Sequence, residues 1–212
     1  MSILPALALG LALGVRHATD ADHVAAISTI VTETRSLRRA ALIGLSWGVG
    51  HSASVLLVGG ALVLLRLPMP VRVALALEFL AALMLIGLGV RAILWRRRAA
   101  KATGSARPVA IGVVHGLAGS AVLALLVLSA TDSAASAAAY LLSFCLGTVL
   151  GMSLITAVLS VPARYGAERL RAFDRHIRVA AGIASLAVGL LLAHRVGVRD
   201  GLFAATPTWS PE

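Results

Sequence analysis

The sequence predicts an all-α, polytopic membrane helix bundle, and three observations carry that prediction. Of 212 residues, 59% are hydrophobic and 13% charged, where soluble domains hold about 45–50% and about 25%. Mean hydropathy is +0.93. Prolines and charge clusters cut the chain into apolar runs long enough for helices to cross a bilayer, which takes roughly 20 residues each. A disordered chain is excluded, because it could not keep so much apolar surface in water. An ordinary cytosolic enzyme is nearly excluded too, because there is too little charge to coat its surface.

Six transmembrane helices are expected, over residues 2–31, 39–65, 71–95, 108–130, 133–160 and 174–194. The first opens with an apolar stretch like a secretory signal, but no Lys or Arg precedes Arg16. The positive start of a signal is missing, and the stretch reads as half of a retained helix. Pro68 and Pro70 end the second helix, and Arg96-Arg97-Arg98 ends the third behind Trp95, an interfacial aromatic. Gly104 and Pro108 open the fourth, and Pro162 with Gly166 closes the fifth. Residues 1–201 form one transmembrane domain, and 202–212, with Pro207 and Pro211, form a flexible tail.

The net charge of +10 follows from topology rather than from nucleic acid, since no aromatic-rich basic patch accompanies it. Fourteen Lys and Arg fall in the loops after helices one, three and five, and four (Arg66, Arg72, Arg195, Arg199) fall on the other side. Positive loops stay in the cytoplasm, so both termini are expected outside it, in the plasma (inner) membrane of a prokaryote. Cys145 is the lone cysteine, which excludes an intramolecular disulfide and a thiol relay. Gly14-Val15-Arg16-His17 echoes Gly112-Val113-Val114-His115, and Gly50-His51-Ser52 echoes Gly151-Met152-Ser153. Two halves of three helices each insert in opposite senses, giving inverted repeats, a transporter design.

Arg16-His17-Ala18-Thr19-Asp20-Ala21-Asp22-His23 lies inside the first apolar run. Each charge there costs about 2.5–3.5 kcal/mol on insertion scales, so the cluster needs partners or a function. At about 100° per residue, His17, Asp20 and His23 share one helix face. Asp22 points away from them unless the helix is broken. Arg16 is placed to pair with Asp20 four residues on. Imidazole with carboxylate suits Zn, Cu, Fe or Ni, and the scarcity of sulfur ligands argues against Cu(I). The alternative is a structural network of Arg16 with Asp20 and Asp22, which leaves both histidines unexplained.

Depths counted along the helices place His17 and His51 about 20 Å from the cytoplasmic ends, and His23, His115 and Met152 about 10 Å. Two such levels suggest a ladder of ligands along one path. His51 and His115 are read as ligands, with polar packing as the alternative for each. Met152 reads as core or soft ligand, and Glu78 as a partner of Arg16, a proton relay or an interfacial carboxylate. His176 and His194 read as interface residues, and Cys145 as packing.

His17-Ala18-Thr19-Asp20-Ala21-Asp22-His23 resembles the His-x4-Asp-His signature of the nickel/cobalt transporter family, and Gly50-His51-Ser52 is similar to that family's second motif. The likeness fades after the first 65 residues. Larger members carry Asp-Thr-Ala-Thr-Glu where this chain reads Leu117-Ala118-Gly119-Ser120-Ala121, and Gly-Met-x3-Asp where Gly151-Met152 leads to Thr156. The chain therefore resembles a short, six-helix branch of the nickel permeases, near the urease-accessory-type membrane proteins.

This resemblance implies a permease for Ni2+ or Co2+ with His17, Asp20, Asp22, His23 and His51 as its metal path; the residues themselves, apart from the resemblance, add His115 as a further ligand and Arg16, Glu78 and Met152 in support. The ion is substrate, no permanently bound cofactor is implied, and the bilayer is the other partner. Direction of transport is left open, as are a homo-oligomer and a metallochaperone. No Gly-x4-Gly-Lys-Ser/Thr segment is present, so ATP hydrolysis by this chain is not expected. The rival readings are an integral membrane enzyme using Fe or Zn, and a membrane assembly factor without transport.

Overall fold

The computed structural model describes residues 2–31, 34, 36–65, 69–94, 106–131, 133–169 and 171–208, without the side chains of 120–126, 128–130, 162–169 and 171–174. The interfacial Trp95 and the run Arg96-Arg97-Arg98 lie outside the described residues. The described secondary structure is all helical: α1 Ile3–His17, α2 Ala21–Val31, α3 Leu37–Ser54, α4 Gly60–Leu65, α5 Val71–Leu94, α6 Ala106–Ala130, α7 Ala134–Arg169 and α8 Arg171–His194. A π-turn, Val55–Gly59, joins α3 to α4, and a second, Arg195–Arg199, extends α8. Among the described residues, four helical stretches are long and apolar enough to cross a membrane: Leu37–Leu65, Val71–Leu94, Ala134–Val161 and Arg175–Arg199.

The first expected helix is two helices. Thr19 N–H donates to the Arg16 carbonyl (2.8 Å) and Asp20 N–H to that of His17 (3.1 Å), which tightens the turn and ends α1. The Thr19 hydroxyl also donates to the Arg16 carbonyl. Short polar side chains compete with the helical ladder in this way. Asp20 and Asp22 then stand at the start of α2, where carboxylates are favoured by the helix dipole.

Other boundaries moved less. Ser36 caps α3 by accepting the Arg39 N–H, so the helix starts at Leu37, two residues before the expected start. Pro108 lies in the first turn of α6, where its missing N–H breaks no helical bond. Pro162 does not end the fifth expected helix, since α7 continues to Arg169. A proline costs one ladder bond, and an apolar helix can accommodate that loss.

On α7, Leu142, Leu146, Leu150, Leu154 and Val158, each four residues apart, are 53–63% exposed. A continuous apolar ridge on the outside is what a lipid-facing helix presents. The inner contacts rest on small residues, which let helix backbones approach without a hydrophobic drive. α1 packs along α7, α3 lies between α6 and α7, α5 packs on α8, and α2 reaches α8 and α5.

These contacts repeat between the two halves. A Cβ on Gly14 would collide with the carbonyl of Phe144 and the amide of Thr148; one on Gly112 would collide with the carbonyl of Trp47 and the amide of His51. Likewise Gly147 abuts the Leu11 carbonyl and Gly50 the Val109 carbonyl. The α1–α7 contact thus maps onto the α6–α3 contact, as exchange of two halves requires. The shift is 98 residues from α1 to α6 (Leu11 to Val109) and 97 from α3 to α7 (Gly50 to Gly147). The expected match of Gly50 to Gly151 is therefore one helical turn too far.

The tail beyond Gly201 is not loose where it is described. Gly201 turns the chain at φ +69°, and Thr208 N–H donates back to the Asp200 carbonyl at 2.9 Å. The Arg72 guanidinium donates to the carbonyls of Ala204 and Ala205 at 2.9 and 2.8 Å. Phe203 meets Phe79 edge to face at 5.4 Å. Two backbone carbonyls held by one guanidinium explain why a proline-containing segment docks.

Candidate metal site

The break after α1 brings the histidines together. His17 closes α1, His23 lies in the first turn of α2, His51 lies in the last turn of α3, one turn before the π-turn, and His115 lies mid-α6. The His17 ring lies 4.6 Å from that of His23 and 5.1 Å from that of His51. His23 stands 5.4 Å from His51 and 5.0 Å from His115. This is one cluster, not the expected two-level ladder. The ladder assumed a continuous rise of about 1.5 Å per residue, which the break between α1 and α2 removes.

Each acid serves an imidazole. His17 Nδ1 donates to Asp20 Oδ2 at 2.8 Å. His23 Nδ1 donates to Asp22 Oδ1 at 3.0 Å, and the His23 amide donates to the same oxygen at 2.9 Å. The other Asp22 oxygen lies 3.7 Å from His115 Nε2. Asp22 therefore belongs to the cluster, contrary to the continuous-helix expectation. A carboxylate on Nδ1 leaves the Nε2 lone pair available, as in carboxylate–histidine–metal arrangements.

Several buried nitrogens remain without a protein partner, namely His23 Nε2 and both ring nitrogens of His51. A buried polar group left unpaired costs about 1–3 kcal/mol, a cost that a ligand at their convergence would offset. One donor atom each from His17, His23 and His51 falls within 4.8 Å of the others, and the same holds for Asp20, Asp22 and His23. Two nitrogens at about 2.1 Å from one ion are at most about 4.2 Å apart. The donor atoms therefore stand near the spacing that one shared ion would require.

A cavity of about 310 Å³ adjoins the cluster, lined by His17, Asp22, His23 and His115 and also by Glu78 and Arg195. Arg16 does not line it and is exposed. The expected Arg16–Asp20 pair is absent, because four-residue spacing makes neighbours only in a continuous helix, and Asp20 pairs with His17 instead. Met152 is fully buried in an apolar cluster with Ala18, Ile27 and Trp47, which is the core reading. His176 and His194 are exposed on α8.

Two residues were not anticipated at the site. Trp47, fully buried, faces His115 at 5.4 Å and His23 at 6.2 Å. It precedes His51 by one turn, and that spacing was the signal for it. Arg195 read only as a loop charge, and no sequence signal linked it to the cavity.

The family model of the high-affinity nickel-transport protein, NicO, matches residues 4–107. The match ends in the first turn of α6. The urease accessory protein UreH of Bacillus sp. (strain TB-90) is 33% identical over 221 residues, covering 96% of each chain. No solved structure matches. With the histidine motif, the glycine-packed helices and a relative spanning nearly its whole length, the chain belongs to the NicO family of nickel-transport proteins.

Proposed function

We propose that the protein carries Ni2+, and Co2+ by the same ligand chemistry, across a prokaryotic plasma membrane, with His17, His23 and His51 as the inner ligands. The observation that carries this reading is the set of buried imidazole nitrogens without protein partners among helices of a nickel-transport family. Asp20 and Asp22 orient two of the rings and offer oxygen ligands at the cluster's edge. His115 joins through the second oxygen of Asp22. Imidazole donors favour borderline first-row ions over Mg2+ and Ca2+, so the hard cations abundant in cells are discriminated against.

The test is metal accumulation. Cells expressing the chain should take up, or extrude, radioactive 63Ni2+ faster than cells with an empty vector, and excess Mg2+ should not compete. The UreH relative's name, urease accessory protein, favours an assembly-factor reading as well. On that reading, the protein would leave the initial rate of ion movement unchanged.

Orientation follows from the asymmetry of Lys and Arg. A reporter enzyme fused after Glu212 should be active only when it functions outside the cytoplasm. Activity of a cytoplasmic reporter there instead would overturn the six-span topology and the opposite insertion of the two halves.

A further inference from the structure

We propose that Arg195 is a tethered counter-cation of the metal cavity, fixed in place by Asp200 and set to keep a divalent ion from binding too tightly to leave. This rests on the metal-transport reading and names what tunes that site. Among the described residues lining the cavity, the fixed charges are Asp22, Glu78 and Arg195. Two carboxylates alone would neutralise a divalent ion and hold it in a deep well. The Arg195 guanidinium, lining the same cavity, opposes the field of those carboxylates. A carrier must bind yet release, and a built-in positive charge makes the bound state shallower.

The fold holds Arg195 there with several independent ties. The π-turn closes through Asp200 N–H donating to the Arg195 carbonyl at 2.9 Å, a geometry that recurs at functional sites. Arg195 Nε lies 3.6 Å from Asp200 Oδ2, and Asp200 is 8% exposed. Asp200 is in turn held by the return of the chain: Leu202 N–H donates to the Val196 carbonyl, and Thr208 N–H to the Asp200 carbonyl. Arg72 pins the same segment through Ala204 and Ala205, and Phe203 packs on Phe79, the neighbour of Glu78. Arg16, the cation adjoining the histidine motif in sequence, is outside the cavity and cannot serve.

The experiment is Ni2+ titration by calorimetry of the purified full chain in detergent, with 63Ni2+ release from proteoliposomes as the second readout. Arg195→Gln should lower the Kd about tenfold, since a unit charge acts strongly across a low-dielectric cavity, and should slow release by a similar factor. Asp200→Asn leaves the guanidinium charge less compensated and should raise the Kd. A purely structural tie predicts that both variants weaken binding, so the opposite signs separate the two accounts. An unchanged or raised Kd for Arg195→Gln overturns the proposal. Should that variant fail to accumulate, Arg195→Met, a second neutral replacement of similar length, is measured in its place, and an unchanged or raised Kd there overturns the proposal. If the wild-type chain binds no Ni2+, the metal-transport reading itself fails. If it binds through His51 and the two variants match it, only the role of Arg195 fails.

Discussion

His51→Ala is expected to abolish nickel movement while leaving the amount of protein in the membrane near normal. His51 is 1% exposed, and both of its ring nitrogens lack a protein partner. In a purely structural role that ring would carry an unpaid desolvation cost of about 1–3 kcal/mol. Alanine removes this cost and leaves a small void, whose penalty of about 24 cal/mol per Å³ acts in the opposite direction. The two nearly cancel in stability. Metal binding has no such compensation, because loss of a ligand should cost at least the roughly 10–100-fold seen when an outer partner is removed. His17→Ala and His23→Ala should behave in the same way. His176→Ala, exposed on α8, should match wild type. Initial 63Ni2+ rates and immunoblots from the same membranes check this, and a His51→Ala rate equal to that of His176→Ala would remove the cluster from the path.

The chemistry of the site was legible in the sequence, and its geometry was not. His17, Asp20, Asp22, His23 and His51 stand out because charged and imidazole side chains are expensive in an apolar run. A helical wheel then misplaced Asp22, because it assumes an unbroken helix where Thr19 and Asp20 divert the backbone. The same assumption produced the two-level ladder and the Arg16–Asp20 pair. His115 came from a match of letters, Gly112 to His115 against Gly14 to His17, which the contacts of Gly14 and Gly112 with opposite helices support. The second match failed by one turn because Gly50 and Gly147 share a packing role while their neighbours, His51 and Thr148, differ in chemistry. Arg195 could not be found from sequence, because its place depends on a chain return over residues 200–208.

The two halves thus contribute unequally to one site, and the site's integrity depends on how closely α6 approaches α3. Gly112→Ala is expected to be severely destabilising, although the same substitution is benign elsewhere. A Cβ at residue 112 would run into the carbonyl of Trp47 and come within 2.9 Å of the His51 amide. Those atoms belong to a helix backbone and cannot swing aside like the end of a side chain. Overpacking typically costs about 1–3 kcal/mol, and contact with rigid backbone should place this variant at or above the upper end. Relief requires α6 to move off α3, which carries His115 away from His23, now 5.0 Å apart. Residual protein should therefore also bind Ni2+ more weakly. Gly87→Ala is the control, since a Cβ there meets nothing within 4 Å. It should be neutral or stabilising by about 0.5–1 kcal/mol from reduced backbone freedom. Thermal melting in detergent measures both, with Gly112→Ala expected well below wild type and Gly87→Ala at or slightly above it. Equal melting temperatures for the two variants would show that the α3–α6 contact is looser than its glycines indicate, and the four-histidine cluster would lose its structural basis.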